Sequence, residues 1–487
     1  MKKTSIYRGH WSDIIRTIFS HVYAVFIFIL IFARNSGISK VLMYILIAII
    51  LISIYSILVW RSNYFYIEDN IFICVKGILS KSKQQIPLNK ITTVDMESTM
   101  MNRIFDAATL KINNGNATSN EPEFKVTMKK SYAIELRNMI LKVNDSNNKG
   151  IEDNYSNNKD IEDNDANVFQ ASSKDIILYA LTKGKFGWIV MLYVFIDKFK
   201  DVFEKKVINN VDSYTGTLKN FFLDHGTYNL VFRIFIVLVV LYIISTIISI
   251  ITELIRYNKF KIFKKEESLN VQYGLINLKS YSIPIEKIQG LKFKQNILQQ
   301  LLGLYRIEAV VIGSDKNNSL LFPIANNNLK DQFIKQLIPE YTFNSAINKS
   351  PKRAVSRFIV KRTIIVLFIS IISIFTFDKI VDKINITLFI KCVIIALLAF
   401  SQIILGYIDY INNGISVEKK LLLLTKGTRN KITHIIKKEK VQSLEMRQTI
   451  FQKRKLVCTY KIDIATTSFG ETIDIKNLEI KKFMNII

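Results

Sequence analysis

Four histidines and three cysteines are the residues of this chain with the most chemistry to offer. His10, His21, His225 and His434 stand far apart, none with a cysteine or carboxylate at metal-ligand spacing. Cys74, Cys392 and Cys458 form no CxxC pair, so neither a disulfide framework nor a zinc site is readable. The acidic pairs Glu152-Asp153 and Glu162-Asp163 lie in a polar stretch, where nothing buries a carboxylate and tunes it for acid–base work. No GxSxG, HExxH, P-loop or GxGxxG run supplies a nucleophile, a metal site or a phosphate cradle. The expectation is a non-enzymatic protein with no cofactor.

What remains is positive charge. The 487 residues carry a net charge of +27 and are 49% hydrophobic. A strongly basic chain seeks an anionic partner, and long apolar blocks favour a membrane over nucleic acid, for which no fold signature is present. Five basic residues, Lys352, Arg353, Arg357, Lys361 and Arg362, crowd the start of one apolar block. At about 1 kcal/mol for each Lys or Arg near an anionic leaflet, they are candidate lipid or partner contacts. A solvated face following the positive-inside rule accounts for them equally well.

Three further lysines mark a repeat. Gly77-Ile-Leu-Ser-Lys-Ser-Lys-Gln-Gln-Ile-Pro87-Leu-Asn-Lys90-Ile recurs as Gly274 through Pro284 and Lys287-Ile, and in altered form as Gly427 through Lys440-Val. The register continues through Val94, Leu291 and Leu444, then Met96, Phe293 and Met446, then Met100, Ile297 and Ile450. Lys90, Lys287 and Lys440 are either headgroup contacts, one per copy, or lysines lying over a sheet edge. So long a period indicates three copies of one small domain rather than a solenoid.

Around these copies the chain alternates apolar and β-rich segments. Residues 14–60 read as a transmembrane hairpin, 61–143 as a β-domain closed by a helix, and 144–170 as a disordered linker holding a ten-residue duplication. Residues 176–252 read as a second hairpin with an outer loop at 200–228, and 258–342 as the second domain. Residues 355–411 form the third hairpin and 413–487 the third domain, which should finish with a helix near 475–487. In the first domain the strands fall at Asn63–Asp69, Ile71–Val75, Lys83–Pro87, Thr92–Glu97, Thr109–Asn113 and Phe124–Met128. The fold class is thus an α+β polytopic membrane protein with about six spans. Basic residues at the span ends place both termini and the domains in the cytoplasm.

Paired spans feeding a β-domain with Gly-x9-Ile-Pro-x2-Lys-Ile resemble the bacterial pleckstrin-homology-like (bacterial PH domain) membrane proteins, in the three-repeat form called the YdbT type. The residues that carry the resemblance are Gly77, Ile86, Pro87, Lys90 and Ile91, with Gly274, Ile283, Pro284, Lys287 and Ile288; the third copy keeps Gly427 and Lys440 but has Lys437 in place of the proline. The resemblance implies a seven-stranded bent sheet with a C-terminal helix in each copy, but no activity. It also implies a smaller single-domain PH-like membrane protein as partner and a link to envelope stress or antimicrobial resistance. Two functions stay open. One is the presentation of PH-like domains to lipids, to other proteins or in an oligomer. The other is a transporter or lipid-moving channel gated by the domains, against which the scarcity of charge and proline in the spans counts.

Overall fold

The structure, a computed structural model, describes residues 7–18, 20–21, 38–78, 80–114, 124–145, 168–183, 227–311, 319–380, 388–465 and 470–480. Most of the first expected span, nearly all of the third (180–199), the loop at 200–226 and residues 481–487 lie outside them.

Among the described residues each repeat contributes seven strands: β1 (Tyr7–Arg8), β2 (Tyr64–Glu68), β3 (Ile71–Lys76), β4 (Ser82–Pro87), β5 (Ile91–Ser98), β6 (Ala107–Asn114) and β7 (Phe124–Lys129) in the first. The second has β8 (Val168–Gln170), β9 (Lys261–Lys265), β10 (Ser268–Tyr273), β11 (Leu278–Pro284), β12 (Ile288–Asn296), β13 (Tyr305–Val311) and β14 (Leu320–Ala325). The third has β15 (Asn348–Lys349), β16 (Gly414–Val417), β17 (Leu421–Lys426), β18 (Asn430–Lys437), β19 (Val441–Arg447), β20 (Val457–Ile464) and β21 (Glu471–Glu479).

The strands do not close into three separate sheets. The order is β1-β2-β3-β4, then β7-β6-β5-β11-β10-β9-β8, then β14-β13-β12-β18-β17-β16-β15, then β19-β20-β21. The second half of each repeat therefore hydrogen-bonds to the first half of the next. The first joint pairs Ser98 with Leu278, Glu97 with Lys279 and Met96 with Ser280. The second is longer, from Gly290 opposite Ile436 to Asn296 opposite Asn430. The cores merge in the same way: Leu421, Leu423 and Ile435 of the third repeat pack in the core of the second, and Val310 of the second packs in that of the third. Burying each such side chain contributes about 1.5–3 kcal/mol, so the joints are part of the core.

Ten helices matter here. α1 (Ile38–Ser62), α5 (Thr227–Arg256), α8 (Val355–Ile380) and α9 (Leu388–Asn412) are the long apolar ones, and α4 (Ser173–Thr182) packs on α5. α3 (Lys130–Asp145) and α7 (Asn327–Leu337) close the first two repeats; α2 (Met100–Ile104), α6 (Ile297–Leu301) and α10 (Ile450–Lys453) are single turns after β5, β12 and β19. Among the described residues two helices are long and apolar enough to cross a membrane, within Val239–Arg256 and Ile395–Asn412, and Leu46–Ser62 is a shorter apolar helix. Six spans are not reached among them.

Two boundaries differ from expectation. Val168–Gln170, assigned to the linker, is strand β8 and pairs with Lys261–Phe263. Its counterparts β1 and β15 also precede the long apolar helices of their repeats, so each domain begins before those helices. The expected helix from 475 is instead strand through Glu479. Ile473 and Ile475 alternate with Asp474 and Lys476 at the strand period and bury against Ile462 and Tyr460.

Candidate membrane-facing site

The repeated glycine builds the surface next to the apolar helices. Gly77, Gly274 and Gly427 have φ of 109°, 117° and 121°, and a Cβ there would lie 2.0, 2.0 and 1.9 Å from the carbonyl oxygens of Ser80, Asn277 and Asn430. Only glycine tolerates such a turn. Each turn is stitched to the end of the preceding helix. Gly77 N donates to Asn63 Oδ1 (3.1 Å) and its carbonyl accepts from Ser62 Oγ. Gly274 N and Leu275 N donate to the carbonyls of Asn258 (2.9 Å) and Ile255 (3.0 Å). Asn412 Nδ2 donates to Gly427 O (3.1 Å).

The single-turn helices lie in the same layer. Thr99, Asn296 and Thr449 cap them by accepting from the backbone N–H of Asn102 (3.3 Å), Gln299 (2.9 Å) and Gln452 (3.3 Å). α2 touches the glycine turn of the next repeat: Arg103 Nη1 donates to Leu275 O at 2.7 Å. On α6, Gln300 Oε1 accepts from Asn412 Nδ2 at 2.8 Å. These helices and turns leave large apolar side chains uncovered, among them Ile104, Leu275, Leu301, Ile450 and Phe451. Leu301 is 78% exposed and Ile450 77%, values typical of charged residues. The result is an apolar rim level with the helix ends. Nothing in the sequence reading marked it; the signal was a Thr or Asn cap followed by apolar residues at the same place in all three copies.

The basic residues divide. Arg353 Nε donates to Lys455 O (2.9 Å) and its guanidinium lies 3.3 Å from Glu479. Arg357 Nε donates to Asn477 Oδ1 (3.2 Å), and Arg362 reaches Thr428 Oγ1 (2.8 Å) and Asp409 (3.3 Å). These three arginines fasten α8 and the turn that leads into it to the third repeat and to α9. Lys352 and Lys361 are exposed. Where α8 and α9 meet the Gly427 turn, a groove of about 540 Å³ is lined by Arg362, Thr428, Arg429 and Asn430 together with Ile365, Val366, Gln402 and Leu405.

Lys90, Lys287 and Lys440 lie elsewhere. Each closes the 3₁₀ turn after β4, β11 or β18, at the opposite end of that strand from the glycine. Strands of six, seven and eight residues separate them from the glycine turns by roughly 20–26 Å. Burial lowers the pKa of Lys287. The altered third copy keeps the shape of the others: Lys437 has φ −72° and ψ 134°, against −58° and 134° at Pro87 and −60° and 130° at Pro284. Lys437 instead pairs with Glu340 and lies 5.4 Å from the centre of the Tyr341 ring. Among the described residues no three His, Cys, Asp or Glu side chains converge as metal ligands.

Repeats of seven strands, each fed by apolar helices and facing them with a glycine turn, define a membrane-associated PH-like protein. The bacterial PH domain family model matches residues 23–144, 216–335 and 359–487, and the chain belongs to that family. It is similar to the UPF0699 transmembrane protein YdbT of Bacillus subtilis (strain 168), with 23% identity over 435 residues, covering 87% of this chain and 84% of that protein. No solved structure matches it.

Proposed function

We propose that this is a non-enzymatic, multi-pass plasma-membrane protein holding three PH-like domains against the cytoplasmic face, where the third repeat binds anionic phospholipid. The groove at Arg362 and Arg429 carries this reading. Its arginines would take a phosphate, its aliphatic residues Ile365, Val366 and Leu405 lie on α8 and α9, and it sits in the layer of the apolar rim. The basic span ends support a cytoplasmic orientation. Asp409, an acidic residue of the last helix, is engaged by Arg362 at the helix end, which favours anchoring over transport. A smaller PH-like membrane protein as partner and a role in envelope stress or antimicrobial resistance belong to the same proposal.

The test is native mass spectrometry of the full chain released from mild detergent with mixed zwitterionic and anionic phospholipids. The wild type should retain the anionic lipid preferentially. Arg429→Ala should weaken retention about fivefold, the equivalent of roughly 1 kcal/mol. Equal retention of both lipid classes by the wild type would sink the proposal.

A further inference from the structure

Joining repeats by half-sheets leaves two halves without a neighbour. Among the described residues, β4 pairs with β3 alone at one end of the array, and β19 with β20 alone at the other. Their counterparts are all paired on both sides: β11 and β18 correspond to β4, and β5 and β12 to β19. The two open edges are therefore the two complementary sides of a joint the chain already makes twice.

Both internal joints use one register. The fourth residue after the cassette glycine meets the eighth after the cassette lysine: Leu278 with Ser98 in the first joint, Lys431 with Gln295 in the second. The next pairs agree as well, Lys279 with Glu97 beside Ile432 with Lys294, and Ser280 with Met96 beside Thr433 with Phe293. Exposure follows the same logic. Phe293 is 3% exposed within a joint, whereas its counterpart Met446 is 41% exposed at the open edge. His434 is buried within a joint, whereas its counterpart Gln84 is exposed. Lysine on β4 does not forbid pairing, since Lys279 and Lys431 occupy paired strands.

We propose that the chain assembles head to tail with further copies of itself, β19 of one copy pairing antiparallel with β4 of the next in this same register. Gln448 then stands opposite Lys81, Arg447 opposite Ser82, Met446 opposite Lys83 and Glu445 opposite Gln84. The contact is heterologous, so the assembly closes into a ring or runs on as a filament. It adds main-chain hydrogen bonds along both edges and covers Met446. The proposal rests on strand pairing and is independent of lipid binding.

Cysteine cross-linking in native membranes between two differently tagged full-length chains tests it, both carrying Cys392→Ser to remove the exposed thiol. One combination places Lys83→Cys in one chain and Met446→Cys in the other; the second uses Gln84→Cys and Glu445→Cys. These adjacent pairs alternate in Cα spacing, so at least one suits a disulfide. Under mild oxidation at least one should link the two tags about tenfold more than the out-of-register combination of Ser82→Cys and Ser443→Cys, whose Cβ atoms would lie beyond disulfide reach. Absence of linkage in both in-register combinations, or equal linkage in the control, overturns the proposal. So does capture of a different, smaller protein by the β19 cysteine in place of the tagged copy. Arg429→Ala should leave the linkage unchanged, so failure here and failure of the lipid assignment are separable.

Discussion

Lys292 on β12 stands directly opposite His434 on β18, and the His434 ring is buried in the second joint with no hydrogen-bond partner for either nitrogen among the described residues. Burial first, and then the charges of Lys292, Lys426 and Lys294, hold its pKa well below the usual imidazole value. Lys292 and Lys294 are themselves paired, with Glu471 and Glu308.

His434 makes the joint acid-sensitive. The folded chain keeps the ring neutral, while the unfolded chain takes up a proton below about pH 6.5, the ordinary value. The stability this neutral ring allows is therefore complete above that pH. It is lost as pH falls toward the depressed folded value, at about 1.4 kcal/mol per pH unit. Melting temperatures of the full chain at pH 7.5 and 5.5 should separate, and His434→Leu should narrow the gap. An unchanged gap would remove His434 from the account.

Gly274 sets the shape of the rim. Gly274→Ala puts a Cβ 2.0 Å from Asn277 O at a φ of 117°, which forces the turn off Asn258 and Ile255. The backbone strain alone costs about 1–3 kcal/mol, and the clash adds to it. The variant should melt several degrees lower than wild type. A melting temperature within one degree would mean that the turn has other conformations open to it.

The placement of rim and lysines is readable by fluorescence. An environment-sensitive probe on Leu301→Cys or Ile450→Cys, in Cys392→Ser chains in vesicles, should be quenched by lipids brominated high on the acyl chain. The same probe on Lys90→Cys should not respond. Equal quenching at both places would contradict the strand-length separation between them.

Lys437→Pro restores the residue found in the other two copies. Because Lys437 already has the backbone angles of Pro87 and Pro284, the change should cost no more than the exposed pair with Glu340, about 1 kcal/mol or less. A larger loss of thermal stability would show that the cation or the N–H of Lys437 holds the second joint.

Much of this plan is present in residue patterns. The cassette fixed the number of repeats, and the hairpin at Glu68-Asp69-Asn70 falls where turn residues interrupt β-branched and aromatic runs; Asp69 and Asn70 both have positive φ. The joints were hidden because alternation at period two tells which face of a strand is buried, and not which strand lies beside it. Met96 and Met446 look equivalent in sequence, yet one is half-buried beside Ser280 and the other lies open. The rim escaped notice for a related reason: Ile104, Leu301 and Ile450 read as ordinary core residues until the helix ends beside them are placed. The lysines stood out only because they recur, and recurrence here marks a turn of fixed shape.

The half-sheet joints also govern how the protein is made. β5 leaves the ribosome with its outer edge empty, and the strand that fills it, β11, lies beyond α4 and the long apolar helix α5. At 5–20 residues per second that interval is roughly 10–40 s. During biosynthesis the first domain must therefore wait with an open strand until the chain through the apolar helix α5 has followed it.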